Sequence, residues 1–575
     1  MATDARGHLA QPFSRRKLLA ASGGGAAGLA VARLEGLAHA GGAGAGSARL
    51  LSRMQEIESG GTLTYGLSGD VDGTLDPGVT HFDTTIRVTL NICEPLVWMP
   101  TATEFVPGLA ESWEVSADGL AYTFKLKQGV TFHDGTPFNA EAVQFSFDRV
   151  VEADKIAAAG SGTPDPAKVI VAGQAHDQIG TYDHSEIIDE YTIKMVMSRP
   201  FSPFLSGLNG YLGIVSPTAV RSMGLAEFAR APVGTGPFMF KEWVEADHIT
   251  VARNPDYNWG SSFFQHPGAA YVDEIVYKII PDSAIRTGTL ISGETQYIED
   301  RDPLQAEDLD SNADVEVIAK PQPGSGWILL LNVSRPDRAV ADVKVRQALE
   351  YAIDKTAFND AVFAGSNEPA ASPLMKPTFG YDPATETVYT YDKAKAEALL
   401  EEAGWVKNGD IREKNGQKLE LEFPIIDRPR DNAMATFIQG AFREVGADLK
   451  VEPMERGAFT QRWREENRYD VSFMWFSYAD PDVLRTIFYS KNIGAFNRAQ
   501  YNVPEVDTML EDAAASGDPE VRTQLYSQIQ MRVLQDAVTI PLVDSLVYHA
   551  KRTNVEGEVL DYLASYVWMN DVHFT

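Results

Sequence analysis

The spacing of apolar residues changes period along this chain, and the change limits the folds open to it. In AYTFKLK (Ala121–Lys127), Tyr122, Phe124 and Leu126 face one way and Thr123, Lys125 and Lys127 the other. That is the two-residue alternation of a half-buried strand. TLTYGL (Thr62–Leu67) and EIVYKII (Glu274–Ile280) read as further strands. Helical signals gather in the second half. DKAKAEALLEEAGW offers Asp392 as an N-cap and Gly404 as a stop. DPEVRTQLYSQIQMRVL offers Asp518 as cap, Pro519 at the first helical position, and Val521, Leu525 and Ile529 on one face. No internal repeat is evident, and Val151–Glu190, rich in Gly, Ala and Asp, reads as an irregular insertion. A strand-rich first half and a mixed second half predict a multi-lobed α/β protein, not one sandwich or barrel. A length of 575 residues implies two or more lobes.

The N-terminus reads as processing, not fold. Arg15 and Arg16 precede a weakly apolar run, Leu18–Ala32, and Ala38-His39-Ala40 supplies a small-x-small cleavage pattern. The run is shorter than the roughly 20 residues that cross a bilayer. The paired arginines resemble a twin-arginine export signal over residues 1–40, followed by a flexible leader over 41–60. Cys93 is the only cysteine. It allows no internal disulfide, lies too far in to carry a lipid at the cleavage site, and excludes cysteine-rich zinc or iron–sulfur centres. The formal net charge of −30 disfavours nucleic acid and anionic lipid as partners.

Several motifs have physical readings of their own. In FHDGTPF, Asp134-Gly135 makes a tight turn and Pro137 delays pairing of the next strand. In VGTGPF, Gly234 and Gly236 permit a sharp bend around Thr235; no lysine or helix follows, so it is not a phosphate loop. RQALEYAID (Arg346–Asp354) is an amphipathic helix with Ala348, Leu349, Ala352 and Ile353 inward and Arg346 as a structural ion-pair partner. HDQIGTYDH sets His176, Asp177, Asp183 and His184 in one acidic loop, with no metal-ligand spacing. His133 reads as structural.

Four blocks together carry a resemblance. PGLAESWEVSADGLAYTFKLKQGVTFHDGTPFNAEAVQFSFDR (Pro107–Arg149), PVGTGPFMFKEW with ARNPDYNW, VKVRQALEYAID (Val343–Asp354) and YDVSFMWFSYADPD (Tyr469–Asp482) occur in that order. They resemble the signature blocks of the periplasmic dipeptide-, oligopeptide- and nickel-binding proteins of ABC transporters, the family 5 extracellular solute-binding proteins. The resemblance implies a large, cluster C type periplasmic binding protein fold: two α/β lobes that close on a ligand by a hinge. The first lobe would span 61–320, with an extra subdomain at about 96–195, and the second lobe 321–540. Residues 541–575 would return to the first lobe. The crossings are expected near PQPGSGW (Pro321–Trp327) and Ile540-Pro541.

The same resemblance implies a site. In peptide-binding members an aspartate soon after a pocket tryptophan takes the ligand's amino group, and an arginine of the second lobe takes its carboxylate. Trp475 matches the tryptophan, but Tyr478 stands where the aspartate is expected, able to stack and to donate one hydrogen bond. Asp480 is open to two roles, helix cap before Pro481 or ligand contact, with capping favoured. Arg428, in PIIDRPR, matches the carboxylate position and suits a bidentate partner, or is simply a solvated loop arginine; Arg430 is a second choice. Trp327 is a pocket wall or a core residue. The loops Ser68–Pro77 and Gly207–Tyr211 are further candidate walls. No cofactor or resident metal is implied.

The function expected is that of a periplasmic receptor, monomeric, which binds a small solute and hands it to an inner-membrane ABC permease after export by the twin-arginine machinery. A peptide or opine-like compound is the expected ligand, with an oligosaccharide or metal chelate as alternatives. An exported hydrolase is a competing class, but no GxSxG elbow, HExxH helix or Walker loop is present. A sensory or chaperone-like binder would use the same cleft without transport.

Overall fold

The computed structural model describes Ile57 and residues 59–71, 73–79, 83–159, 178–209, 212–301 and 305–575. The export signal, most of the leader, Asp72, His176, Asp177 and Tyr211 lie outside these residues. Among the described residues, no helix is long and apolar enough to cross a membrane.

Two sheets organise the chain. The first collects β1 (Thr62–Leu67), β2 (Phe238–Val244), β3 (His248–Arg253), β4 (Glu274–Ile279), β5 (Tyr297–Glu299) and β6 (Val315–Pro321). The next strand, β7 (Gly324–Leu331), belongs to a second sheet with β8 (Glu368–Pro369), β9 (Val471–Ser477) and β10 (Thr539–Asp544), in the order β8-β10-β7-β9. Strand β11 (Leu546–Arg552) then returns to the first sheet, whose order is β6-β11-β5-β1-β4-β3-β2. The strand β1 lies parallel to β4 and β5, and the remaining pairs of this sheet are antiparallel. The chain therefore changes sheet at Gln322-Pro323 and again at Ser545. The second change falls beyond Ile540-Pro541 because both are strand residues, paired with Leu329 and Ile328 inside the second sheet.

Alternation explains which faces bury. Leu63, Tyr65 and Leu67 of β1 join Ile249, Val251, Ile275 and Tyr277 in one core. In the second sheet, Leu329, Leu331 and Phe473 face a core with Leu421, Phe423, Leu349 and Phe442. Ile328, Leu330 and Met474 face the opposite way into another core. Each such side chain removed from water contributes roughly 1.5–3 kcal/mol, so the sheets are fixed in register by both faces at once.

Beside the first sheet lies a four-stranded antiparallel sheet of Ala110–Val115, Ala121–Leu126, Thr192–Met197 and Tyr182–Asp189. The helix Ala140–Ala159 contacts it. The stretch expected as irregular insertion thus holds the end of a helix and a strand. Asp183 and His184 sit on that strand, not in a loop. Its outer residues are mostly exposed, as befits an edge strand, and so lack a clear apolar alternation.

Local signals are met closely. The side chain of Asp392 accepts from Lys395 N–H, and that of Asp518 from Glu520 and Val521 N–H. In FHDGTPF, Gly135 N–H donates to Phe132 O. A Cβ on Gly234 would lie 2.1 Å from the Ile92 carbonyl oxygen, so glycine is needed there for close approach. Two readings change. Val521 is exposed, and the buried face of Pro519–Gln535 is Arg522, Tyr526, Ile529 and Val533, because Arg522 turns inward to a carboxylate. Arg346 is structural, but its hydrogen bonds go to the carbonyls of Asp536, Val340 and Ala341.

Candidate functional site

The two crossings meet. Gln322 N–H donates to Ser545 O (3.1 Å), which ties the outward and return segments together at the point where the sheets change. Trp475, near the end of β9, donates from Nε1 to Ser545 Oγ (3.1 Å). Its ring stacks on Trp327 of β7, with centroids 6.1 Å apart and planes inclined by 21°. Both rings are partly exposed. By strand alternation Ser477 shares their face, and its hydroxyl is buried with no partner among the described residues. An aromatic pair beside an unspent hydroxyl at a lobe junction can hold an apolar ligand body and orient one polar group.

Beyond Ser477 the chain turns inward. Tyr478 is buried, donates its N–H to Pro323 O (3.2 Å), and lies in the core with Ile328, Leu374 and Val483. Ala479 contacts the first lobe, in a cluster with Trp98, Met99, Leu563 and Trp568. Asp480 is buried against Arg522 Nη2 (2.5 Å) and accepts from Asp482 N–H (2.9 Å). The helix begins at Val483, with Asp482 in the cap position and its carboxylate on Arg485. The expected start at Pro481 is therefore corrected: Pro481-Asp482 forms a turn ahead of the helix, and Asp480 caps that turn while neutralising Arg522.

Arg428 occupies the cap position of the helix Pro429–Glu444 with an exposed side chain. Arg430, also exposed, reaches Asp300 Oδ2 of the first lobe at 3.8 Å. The Ser68–Pro77 loop is held from within: Ser68 donates to Glu299 from N–H and Oγ, and Asp76 pairs with buried Arg149. Asn209, at the end of the other candidate loop, accepts from Met99 N–H. His133 is half-buried with Nε2 on Gly236 O (2.9 Å), and desolvation pushes its imidazole down to about 4. Among the described residues no group of His, Cys, Asp or Glu is arranged to hold a metal.

A second polar group lies on the first lobe near the crossings. Arg87 pairs with Glu299 (2.5 Å) and donates to Ser565 O (2.9 Å). Gln322 Nε2 donates to Ser565 Oγ (2.6 Å). Asp83, one turn before Arg87, accepts from Tyr566 OH (3.1 Å), and its second oxygen is 4.0 Å from Arg87. Burial raises the Asp83 carboxyl above its usual range.

Residues 104–496 match the profile of bacterial extracellular solute-binding proteins, family 5 Middle. The chain belongs to that family. As a family 5 protein it is a solute-binding receptor of the kind that serves ABC importers, and the family is not one of enzymes. It is 30% identical over 536 residues to the dipeptide-binding protein of Escherichia coli K12, covering 88% of this chain and 94% of that one. Its structure is similar to the ABC transporter-associated periplasmic binding protein DppA of Helicobacter pylori, in complex with the peptide STSA. That match has a TM-score of 0.73, 27% identity, and coverage of 90% and 98%. It is also similar to NikA of Brucella suis in complex with Fe(III)-EDTA, with a TM-score of 0.76, 25% identity, and coverage of 90% and 100%. The two-lobed α/β fold expected of the chain is that of these relatives.

Of the residues singled out from sequence, Trp327 and Trp475 come together at the crossings of this family 5 protein. Tyr478 and Asp480 point into packed interior, and Arg428 and Arg430 stand at the exposed head of one helix. Gln322, Ser545, Ser477 and Asp83 were not singled out, nor was buried Asp561, whose Oδ1 accepts from Tyr566 N–H (3.1 Å). PQPGSGW marked the region of Gln322, since prolines on both sides of it interrupt the strand pattern. Nothing local to Asp83 or Asp561 marks either one.

Proposed function

We propose that this protein captures a short peptide, or a peptide-like or opine-like compound, between its lobes and delivers it to an inner-membrane ABC permease. It does so in the periplasm after twin-arginine export, as a monomer and without chemistry on the ligand. We place the lobes at 61–320, 321–544 and 545–575: the sheet changes at Gln322 and Ser545 support these bounds, and the second moves from 540 because Ile540 and Pro541 lie inside β10. The observation that carries the proposal is the Trp327–Trp475 stack beside the Trp475–Ser545 hydrogen bond. It couples an aromatic ligand surface directly to the crossing segments. Arg428 presents an exposed guanidinium close to the charge of Asp431, suited to a ligand carboxylate. Similarity to dipeptide-binding and peptide-bound relatives supports the ligand class.

Thermal shift tests it. A ligand that binds the folded form alone at 100 times its Kd adds about 2.7 kcal/mol of stability, so dipeptides at millimolar concentration should raise Tm by several degrees. Arg428→Ala should remove most of that gain for carboxylate ligands while leaving the ligand-free Tm in place. No gain with peptides, opine-like conjugates, oligosaccharides or metal chelates, together with turnover of a substrate, would defeat the receptor reading.

A further inference from the structure

We propose that Asp83 and Asp561, both on the first lobe, form the cation-accepting end of the ligand site. They would take an ammonium or guanidinium group of a solute whose body lies on Trp475. This rests on the receptor reading and names the chemistry of one end of its ligand.

Continuity comes first. Trp475 donates to Ser545 Oγ, Ser545 O accepts from Gln322 N–H, and Gln322 Nε2 donates to Ser565 Oγ. Ser565 O accepts from Arg87, which lies one helical turn from Asp83. The aromatic pair and the carboxylates are thus joined through the crossing segments by four residues, Ser545, Gln322, Ser565 and Arg87, each touching the next.

Charge supplies the second argument. At the far end of β9 the acids are already neutralised, Asp480 by Arg522 and Asp482 by Arg485. Around Asp83 on the first lobe neutralisation is less complete. Glu299 is saturated by Arg87, Tyr65 OH and both donors of Ser68. Arg87 spends itself on Glu299 and Ser565, and stands 4.0 Å from Asp83. Asp83 accepts the Tyr566 hydroxyl. Asp561 accepts at Oδ1 from Tyr566 N–H (3.1 Å), while Oδ2 is buried without a partner. Tyr566 thus bridges the two acids, one through its backbone and one through its hydroxyl; burial pushes the Asp561 carboxyl up to about 7, and the charge of Asp83 adds to the rise. With one arginine among three acids, an added cation close to Asp83 would hold both aspartates in their charged forms in place of a proton. Access follows the same division: the Asp83 side chain is 33% exposed, whereas Asp561 is 5% exposed. Asp83 meets the ligand, and Asp561 reinforces its field from beneath.

The test pairs cationic probes with neutral counterparts by isothermal titration calorimetry. One pair is Ala-Phe and N-acetyl-Ala-Phe; the other is an arginine opine and its citrulline analogue. In the wild type the cationic member of whichever pair binds should be about tenfold or more tighter. Asp83→Asn should shrink that ratio to about threefold or less, and Asp561→Asn should lower it in the same direction. Asp561→Asn also keeps the idea testable if Asp83→Asn fails to fold, as checked by circular dichroism. An unchanged ratio in both variants would overturn the cation site and leave the peptide reading standing. Binding confined to the opine pair, with the ratio lost in Asp83→Asn, would keep the cation site and reject peptides. Failure of all four probes to bind at millimolar concentration would overturn both.

Discussion

Single residues at the crossings carry charges whose cost can be read from their surroundings. Asp544, next to Ser545, accepts Lys376 N–H (3.1 Å) at Oδ2 and leaves Oδ1 buried without a partner. Burial pushes its carboxyl up to about 7. Between the unfolded value near 3.8 and that folded value, the native chain holds a proton that the unfolded chain has released. Stability from this group is therefore fully present below 3.8 and is lost as pH rises from there through 7. An amide in its place would be neutral throughout and could still accept from Lys376. Asp544→Asn should leave Tm unchanged at pH 4 and raise it progressively up to pH 8, where the gain is roughly 2–4 kcal/mol. A Tm difference that is flat with pH, measured by calorimetry, would contradict the assignment. His549 shows the opposite sign: burial pushes it down to about 4, so its contribution is present above 6.5 and is lost as pH falls through 4 to 5.

Elements were legible in the sequence where their determinants are local. Asp392 and Asp518 cap by bonds to N–H groups two or three residues on, and alternation in AYTFKLK needs no distant partner. Legibility failed where a distant residue decides the face. Val521, Leu525 and Ile529 keep helical spacing, yet Arg522 rotates the helix Pro519–Gln535 so that its guanidinium meets Asp480. Asp83, Asp561 and Glu299 are brought together across the chain by the order of the first sheet and the C-terminal return, which no local pattern encodes. The tryptophans were found because aromatic residues near a strand end are conspicuous, and their stacking follows from the pairing of β7 with β9. The Arg522–Asp480 pair also yields a test of the helix itself. Arg522→Met removes one partner and strands a buried carboxylate, which costs about 3–5 kcal/mol. Adding Asp480→Asn should recover most of that loss in urea unfolding, whereas an additive double mutant would mean that the two side chains do not share the energy.

At the scale of the whole molecule, the lobes are joined by two crossings and touch at separate points away from them. Ser202 N–H donates to Ala514 O (2.7 Å), Arg485 lies over the Phe201 ring at 5.3 Å, and Tyr562 OH donates to Pro377 O (2.9 Å). Each of these three contacts is small and involves a polar or charged group, as in a transient interface more than a domain core. Such contacts can be made and broken as a hinge moves. A cysteine pair at Ser202 and Ala514 would report on that motion. A backbone N–H···O contact brings the two Cα atoms to roughly 5–6 Å, within disulfide reach. The native Cys93 is buried and its thiol is held up by burial, so it will not compete in exchange. If ligand draws the lobes together, the Ser202→Cys/Ala514→Cys protein should oxidise several-fold faster with ligand than without. Once oxidised, it should bind ligand at least tenfold more slowly by stopped-flow tryptophan fluorescence, with full recovery on reduction. Equal oxidation rates with and without ligand would show that Ser202 and Ala514 do not part when the site opens. The moving boundary would then lie elsewhere along the contact, with the Arg430–Asp300 pair as the next place to look.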